Sequence, residues 1–330
     1  MTFHHLLEKV SRALIPTALG LAVSVSATAQ QYPSKPVRFV IPYPAGSSSN
    51  DIFGRVLAQR LSDSLGQQFV VDNRSGASGH IGGEMVAKAA PDGYTLLLGT
   101  NGGIAISPSV SPKLPYDPLR DLAPVTLFGI VPYIMVVHSS VPANSVAEFI
   151  ALARARPGQL KFASSGVAGT PHLCGEMLKA LARIDLLHVP YKGGAPATID
   201  LLGGHVQAYF SGIPAQFPHI KSGRVRALAI TTLKRSATMP ELPTFDESGV
   251  PGYDANSWMG VFAPARVPKA LIQRLHGQIE AVMKSPEMRE SMTTQGIEPV
   301  ALGPEPFAAS IRADHEKYAR IIREAGIRLD

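Results

Sequence analysis

A single cysteine, Cys174, in a chain of 330 residues excludes an internal disulfide framework, so stability must come from a packed core. Among its apolar neighbours that thiol reads as a small buried hydrophobe rather than a nucleophile. Charged residues are scarce at 17%, and the basic ones are scattered without interleaved aromatics, which argues against a nucleic-acid surface. No H-E-x-x-H, no Cys/His cluster at metal-ligand spacing and no G-x-S-x-G elbow is present, so no metal, cofactor or catalytic residue is expected. No run beyond residue 30 approaches the length of a bilayer span.

What the chain does have is glycine and proline, 30 and 28 of them, which imply many sharp turns between elements. Hydrophobic residues make up 45%, enough for one large core or two moderate ones. Lys9 and Arg12 precede an apolar run from Ala13 to Val25, and Ala27-Thr28-Ala29 fits the small-residue rule for cleavage. Residues 1–29 are therefore expected to be an export signal, cut after about Ala29, with the mature protein outside the cytoplasm. Loss of Lys9, Arg12 and Glu8 with that segment lowers the formal charge from +6 to +5, a mild bias toward anionic ligands.

Along the remaining chain, short β-branched runs alternate with helical spacing. Strands are expected at 37–41, 69–71, 94–98, 134–137, 160–164, 187–189, 206–210, 225–231 and 257–263. One helix places Ile52, Phe53, Val56, Leu57, Leu61 and Leu65 on an apolar face and stops at Gly66. Others are expected at 80–90, at 146–156 behind the capping box Ser145-x-x-Glu148, and at 171–183, 195–202, 268–284 and 304–325. The order is that of an α/β protein with mostly parallel sheets. The chain is divided into a first domain at 30–128 completed by 255–330, and a second at 129–254.

Ligands of open α/β sheets sit beyond the carboxyl ends of the strands, where the first turns of helices offer unpaired N–H groups and partial positive charge. Four junctions fit. "PAGSSSND" combines Gly46 with the hydroxyls of Ser47, Ser48 and Ser49, although one of Ser49, Asn50 and Asp51 also serves as an ordinary N-cap. "LLLGTNGG" ends a strand at Thr100 and Asn101. "FASSGVAGTPH" supplies Ser164, Ser165, Gly169 and Thr170, and "PYKGGAPATIDLLGG" supplies Tyr191 and a glycine-rich entry. Tyr43 and Phe53 are candidates to stack a ring, with Phe53 better suited to the helix's buried face.

The phrases "YPSKPVRFVIPYPAG", "VVDNRSGASGHIGGEMVAKAAPDGYTLLLGTNG", "PKLPYDPLRDLAPVTL", "GTPHLCGEMLKA", "VPYKGGAPATIDLLGG" and "KYARIIREAGIRL" together resemble the Bug (TctC) family of extracytoplasmic solute receptors. The resemblance implies a two-lobed type II periplasmic-binding-protein fold, without enzymatic activity, closing on a small carboxylate: a dicarboxylate or tricarboxylate, an acidic amino acid or an aromatic acid. It implies delivery to the large and small membrane subunits of a tripartite transporter, and a monomeric receptor. By the same resemblance Tyr43 flanks the ligand, Thr100 and Asn101 form a second wall, and Ser164, Gly169 and Thr170 grip a carboxylate from the second lobe. Tyr191 and Asp200 are further candidates, Asp200 being equally suited to an internal hydrogen bond. The first loop departs from the family's usual Pro-x-Gly-Gly-x-x-Asp in being serine-rich and one residue longer. A sensor feeding a membrane kinase would bind the same ligand, and a secreted hydrolase is the competing class.

Overall fold

The computed structural model describes residues 32–46, 49–76, 79–111 and 113–328. The expected export signal at residues 1–29 and the pair Ser47–Ser48 lie outside the described residues. The run VRFVI forms β1 (Val37–Ile41), with every residue but Arg38 buried, as expected of a strand covered on both faces. It is followed by α1 (Ser49–Leu65), β2 (Phe69–Asn73), α2 (His80–Ala87) and β3 (Thr95–Thr100). A π-helical turn at Gly102–Ile106 runs into α3 (Ser107–Val110), and α4 (Pro118–Asp121) leads into the long strand β4 (Leu122–His138). Then come α5 (Val146–Ala155), β5 (Lys161–Ser164), α6 (Thr170–Ala182), β6 (Leu187–Pro190), α7 (Gly194–Leu202), β7 (Ala208–Gly212), α8 (Ile213–Lys221) and β8 (Val225–Ile230). The chain closes with β9 (Asn256–Pro264), α9 (Lys269–Met283), α10 (Pro286–Thr294), β10 (Glu298–Leu302) and α11 (Pro304–Glu324).

The strands form a mixed, helix-flanked sheet of order β2-β1-β3-β9-β4-β7-β5-β6, with β8 and β10 also paired to β4. Parallel pairing holds where the alternating reading was made, among β1, β2 and β3 and among β5, β6 and β7. Strands β4, β8, β9 and β10 join antiparallel. β4 changes partners along its length. Through Pro132 it pairs with β9, opposite Asn256, and from Tyr133 it pairs with β7, opposite Gly212.

Local signals explain most boundaries. α1 ends at Gly66, whose positive φ of 66° closes the helix. Its buried face is Phe53, Leu57, Ala58 and Leu61, while Ile52 is 43% exposed and belongs to the solvent side. The cap of α5 forms in altered shape: Ser145 Oγ accepts from the Glu148 N–H, but Glu148 Oε2 reaches one residue further back, to the Asn144 N–H at 2.7 Å. The additional elements α8, α10 and β10 carry weak apolar periodicity. α10 buries only Met288 and Met292, and α8 contains Pro218.

α6 follows the loop at the carboxyl end of β5. It lies so close to β5 that a Cβ on Gly175 would overlap the Phe162 ring. Gly175→Ala is therefore expected to lower unfolding stability by about 1–3 kcal/mol, the usual cost of overpacking. Urea denaturation checks this; an unchanged midpoint would mean that α6 is not held at this spacing.

Candidate functional site

Tyr43 follows β1, and Thr100 ends the neighbouring β3. Their hydroxyls share a hydrogen bond of 2.7 Å. The loop between Tyr43 and α1 is organised by Asp51, a residue sequence reading had considered only as a cap. Its Oδ2 accepts from the Gly46 N–H at 2.7 Å and from Arg55 Nε at 2.9 Å, and its Oδ1 accepts from Asn73 Nδ2 at 2.7 Å. Asn73 Nδ2 also donates to the Tyr43 carbonyl. Burial alone would raise the Asp51 carboxyl, but the bonds from Arg55, Gly46 and Asn73 and the Arg55 charge hold it below the usual range. A fixed carboxylate thus ties the loop to β2. The Asp51-x-x-x-Arg55 spacing was the available signal. Gly46 takes φ 69° and is exposed; Ser49 is the first residue of α1.

Asn101 is buried and turned to β9: its Nδ2 donates to the Asn256 carbonyl at 2.7 Å, and its Oδ1 accepts from Ser257 Oγ at 2.9 Å. Both functions of its amide are engaged there, so Asn101 braces the end of β3 against β9.

The second group of loops is equally well fixed. Ser164 Oγ donates to the Gly166 carbonyl at 2.9 Å, so the 2.7 Å contact with His188 Nε2 has the imidazole as donor. The Gly166 N–H also points at Ser164 Oγ, at 3.3 Å. Ala168, held at φ 59°, gives its N–H to His172 Nδ1 at 3.0 Å, and the His172 and His188 rings stack 3.7 Å apart. The Tyr191 N–H bonds the Ser164 carbonyl and the Gly193 N–H bonds the Ser165 carbonyl, joining the ends of β5 and β6. Tyr191 Oη donates to Asp200 Oδ2 at 2.6 Å; burial, then this bond and the Asp200 charge, push the phenol up to about 12. Asp200 thus has an internal partner. Gly169 precedes α6 in extended conformation without a side-chain cap, and Pro171 has no N–H, so the amides of Thr170 and His172 are the first-turn donors there.

Tyr133 brings the two groups together, and sequence reading missed it. The Tyr133 phenol is buried, with Cys174, Tyr209, Thr170 and Tyr43 among the groups that influence it. Burial above all raises its pKa, as it raises those of Tyr43 and Tyr209. All three phenols therefore stay neutral and able to donate. The strand is locked at this point by Thr231, whose hydroxyl and N–H both bond Tyr133 backbone groups. A tyrosine inside an apolar strand gives no period-2 signal of its own, which is why its role was not legible. Of the other candidates, Phe53 is fully buried in the core and Cys174 is buried with its thiol pushed up by burial.

Hydroxyl donors and an open helix start lie at strand ends of a mixed α/β sheet, and the fold is that of periplasmic solute-binding proteins. The family of tripartite tricarboxylate transporter receptors matches residues 53–327, and the chain belongs to it. It is 39% identical over 311 residues to protein BugT of Bordetella pertussis, covering 94% of each chain. Among solved structures, R. palustris Rpa4515 with adipate superposes with TM-score 0.75 at 37% identity, covering 90% of this chain and 99% of that one. MatC from Rhodopseudomonas palustris with bound malate gives TM-score 0.71 at 27% identity, over 88% and 100%. Among the described residues no helix is long and apolar enough to cross a membrane.

The histidine pair behind the site gives a pH test. Burial, then His172 and Lys179, hold His188 down to about 4 against the pull of Glu176, compared with an ordinary 6.5. The unfolded chain therefore takes up this proton as pH falls through 6.5, while the folded chain resists until about 4. Stability contributed by neutral His188 is complete above 6.5 and is lost as pH falls from there toward 4. Urea unfolding at pH 7 and pH 4.5 is expected to show a smaller acid loss in His188→Gln than in the unsubstituted protein. Equal losses would contradict a neutral donor at this position.

Proposed function

We propose that this protein is a periplasmic receptor that captures a small carboxylate without turning it over and hands it to the two membrane subunits of a tripartite transporter. The observation that carries the reading is the convergence of Tyr43, Thr100, Tyr133 and Thr170. These donors come from both sides of the point where β4 changes partners. In this reading residues 30–128 with 255–330 form one lobe, 129–254 form the other, and the lobes close about β4 and β9. The N-terminal turns of α1 and α6 add their amides, with Gly46, Ser47, Ser48 and Ser49 on one side and Ser164, Ser165, Gly169 and Thr170 on the other. Asn101 supports the wall from behind, and the Tyr191–Asp200 pair sets the second lobe's outer loop.

Hydrogen bonds to a charged acceptor contribute roughly 1.5–3 kcal/mol apiece, and each helix start about 0.3–1 kcal/mol more. A handful of such contacts reaches the roughly 8 kcal/mol of micromolar affinity after desolvation, with no arginine. The relatives solved with adipate and with malate support a carboxylate of that size. Ligand touching both lobes favours the closed form, the shape a membrane partner can read.

A thermal-shift screen of dicarboxylates, adipate and malate included, should return a stabilising ligand, by about 2.7 kcal/mol at 100 times its dissociation constant. Tyr133→Phe and Thr170→Ala should each weaken it about tenfold, one charge-assisted hydrogen bond, while leaving the ligand-free melting temperature in place. Unchanged affinity in both variants would remove these residues from the site.

A further inference from the structure

The turn between β5 and α6 is held by a side chain that can change its charge. Ala168 sits at φ 59°, a backbone conformation that residues other than glycine adopt at a cost and only where their surroundings hold them. The holding group is His172, four residues on in the first turn of α6. Its Nδ1 accepts the Ala168 N–H at 3.0 Å, in a buried position. A backbone N–H can only donate, so Nδ1 carries no proton and the hydrogen of the neutral ring is on Nε2. Nε2 faces Glu176 Oε1 at 3.7 Å.

The surroundings of this ring can support a second proton. Burial alone would raise the Glu176 carboxyl, but His172 and Lys179 hold it below the usual range, so a charged carboxylate stands beside the imidazole. Lys179 pairs with Glu176 at 3.0 Å, and α11 brings Glu324 to the pocket that these two line. β6 contributes His188, stacked on His172 at 3.7 Å, and β5 the uncharged Phe162 ring. A proton arriving on Nδ1 therefore keeps Glu176 as a partner and loses Ala168. An imidazolium has two donors and no acceptor, which leaves the Ala168 N–H facing another N–H.

We propose that His172 is a positioning residue whose neutral ring holds the turn from Gly166 to Thr170 in its ligand-gripping shape, so that protonation of this ring loosens the turn and weakens capture of the anion. Its side chain acts through Ala168: Gly169 and Thr170 follow directly, so the conformation of Ala168 sets where the first amides of α6 point. The effect on affinity rests on the carboxylate reading, whereas the hold on Ala168 stands apart from it.

Asparagine places an amide oxygen where Nδ1 stands and does not titrate, so His172→Asn should keep the hold on Ala168 at either pH. The probe is adipate, its affinity measured by calorimetry for both proteins at pH 7.5 and pH 5. Protonation of adipate itself is common to the two and cancels in their ratio, and His188, which burial holds down to about 4, is still neutral at the lower pH. The two dissociation constants are expected to agree within about twofold at pH 7.5 and to differ about tenfold at pH 5, the unsubstituted protein binding more weakly, as the loss of one hydrogen bond requires. A ratio independent of pH would overturn the proposal, and so would tighter binding by the unsubstituted protein at pH 5. Hydrogen exchange of the Ala168 amide in the ligand-free, unsubstituted protein needs neither the variant nor the ligand. Its protection is expected to fall about tenfold from pH 7.5 to pH 5, and unchanged protection would overturn the proposal even if His172→Asn fails to fold. Adipate binding to neither protein would count against the carboxylate reading instead, with the exchange measurement still deciding the hold on Ala168.

Discussion

A strand can hydrogen-bond to only one neighbour on each edge at a given residue, and β4 uses that limit to belong to two groups of strands in turn. Its first part is held by β9 and β10, its last part by β7 and β8. The change falls between Pro132 and Tyr133, where Thr231 fastens the backbone from the side. Everything else about the candidate site follows from this. The parallel strands on either side point their carboxyl ends, with their loops and helix starts, toward the place where Tyr133 stands.

The donors gathered there are neutral. Burial keeps the phenols of Tyr43, Tyr133 and Tyr209 protonated, and the hydroxyls of Thr100 and Thr170 have no charged form in this range. Other groups near the site hold loops instead: the charged pair Asp51 and Arg55 fixes the first loop, and Ser164 with the uncharged His188 and the His172–His188 stack fixes the second. Fixed dipoles around an anion cost no reorganisation when it arrives, and they avoid burying an arginine in the empty state. On the function proposed here, this rigidity within each loop group leaves the movement to β4 and β9.

Much of this was legible in the sequence. β1, α1 and α6 each carry an apolar face and a stop or entry signal strong enough to place them within a residue or two, and the loops between them stand out by glycine and hydroxyl content. The family resemblance extended that reading to the sheet as a whole. Less legible were features that depend on pairing between distant segments. The antiparallel insertion of β9 and β10 is set by partners more than a hundred residues away, and the early start of β4 at Leu122 is concealed by Pro124 and Pro132. Thr100 and Ser164 were named as strand ends and Thr170 as a helix start, whereas Asn101 faces β9. Asp51 and Tyr133 were passed over because one resembles a cap and the other a core residue.

The central claim is that donors from both sides of the β4 changeover hold a single anion. A crystal structure with the best dicarboxylate from the screen tests it most directly. The account predicts one ligand carboxylate within hydrogen-bond distance of both the Tyr133 hydroxyl and the first-turn amides of α6, with the other side of the ligand on the Tyr43–Thr100 loops. A ligand bound wholly within one group of strands, or away from Tyr133, would contradict it.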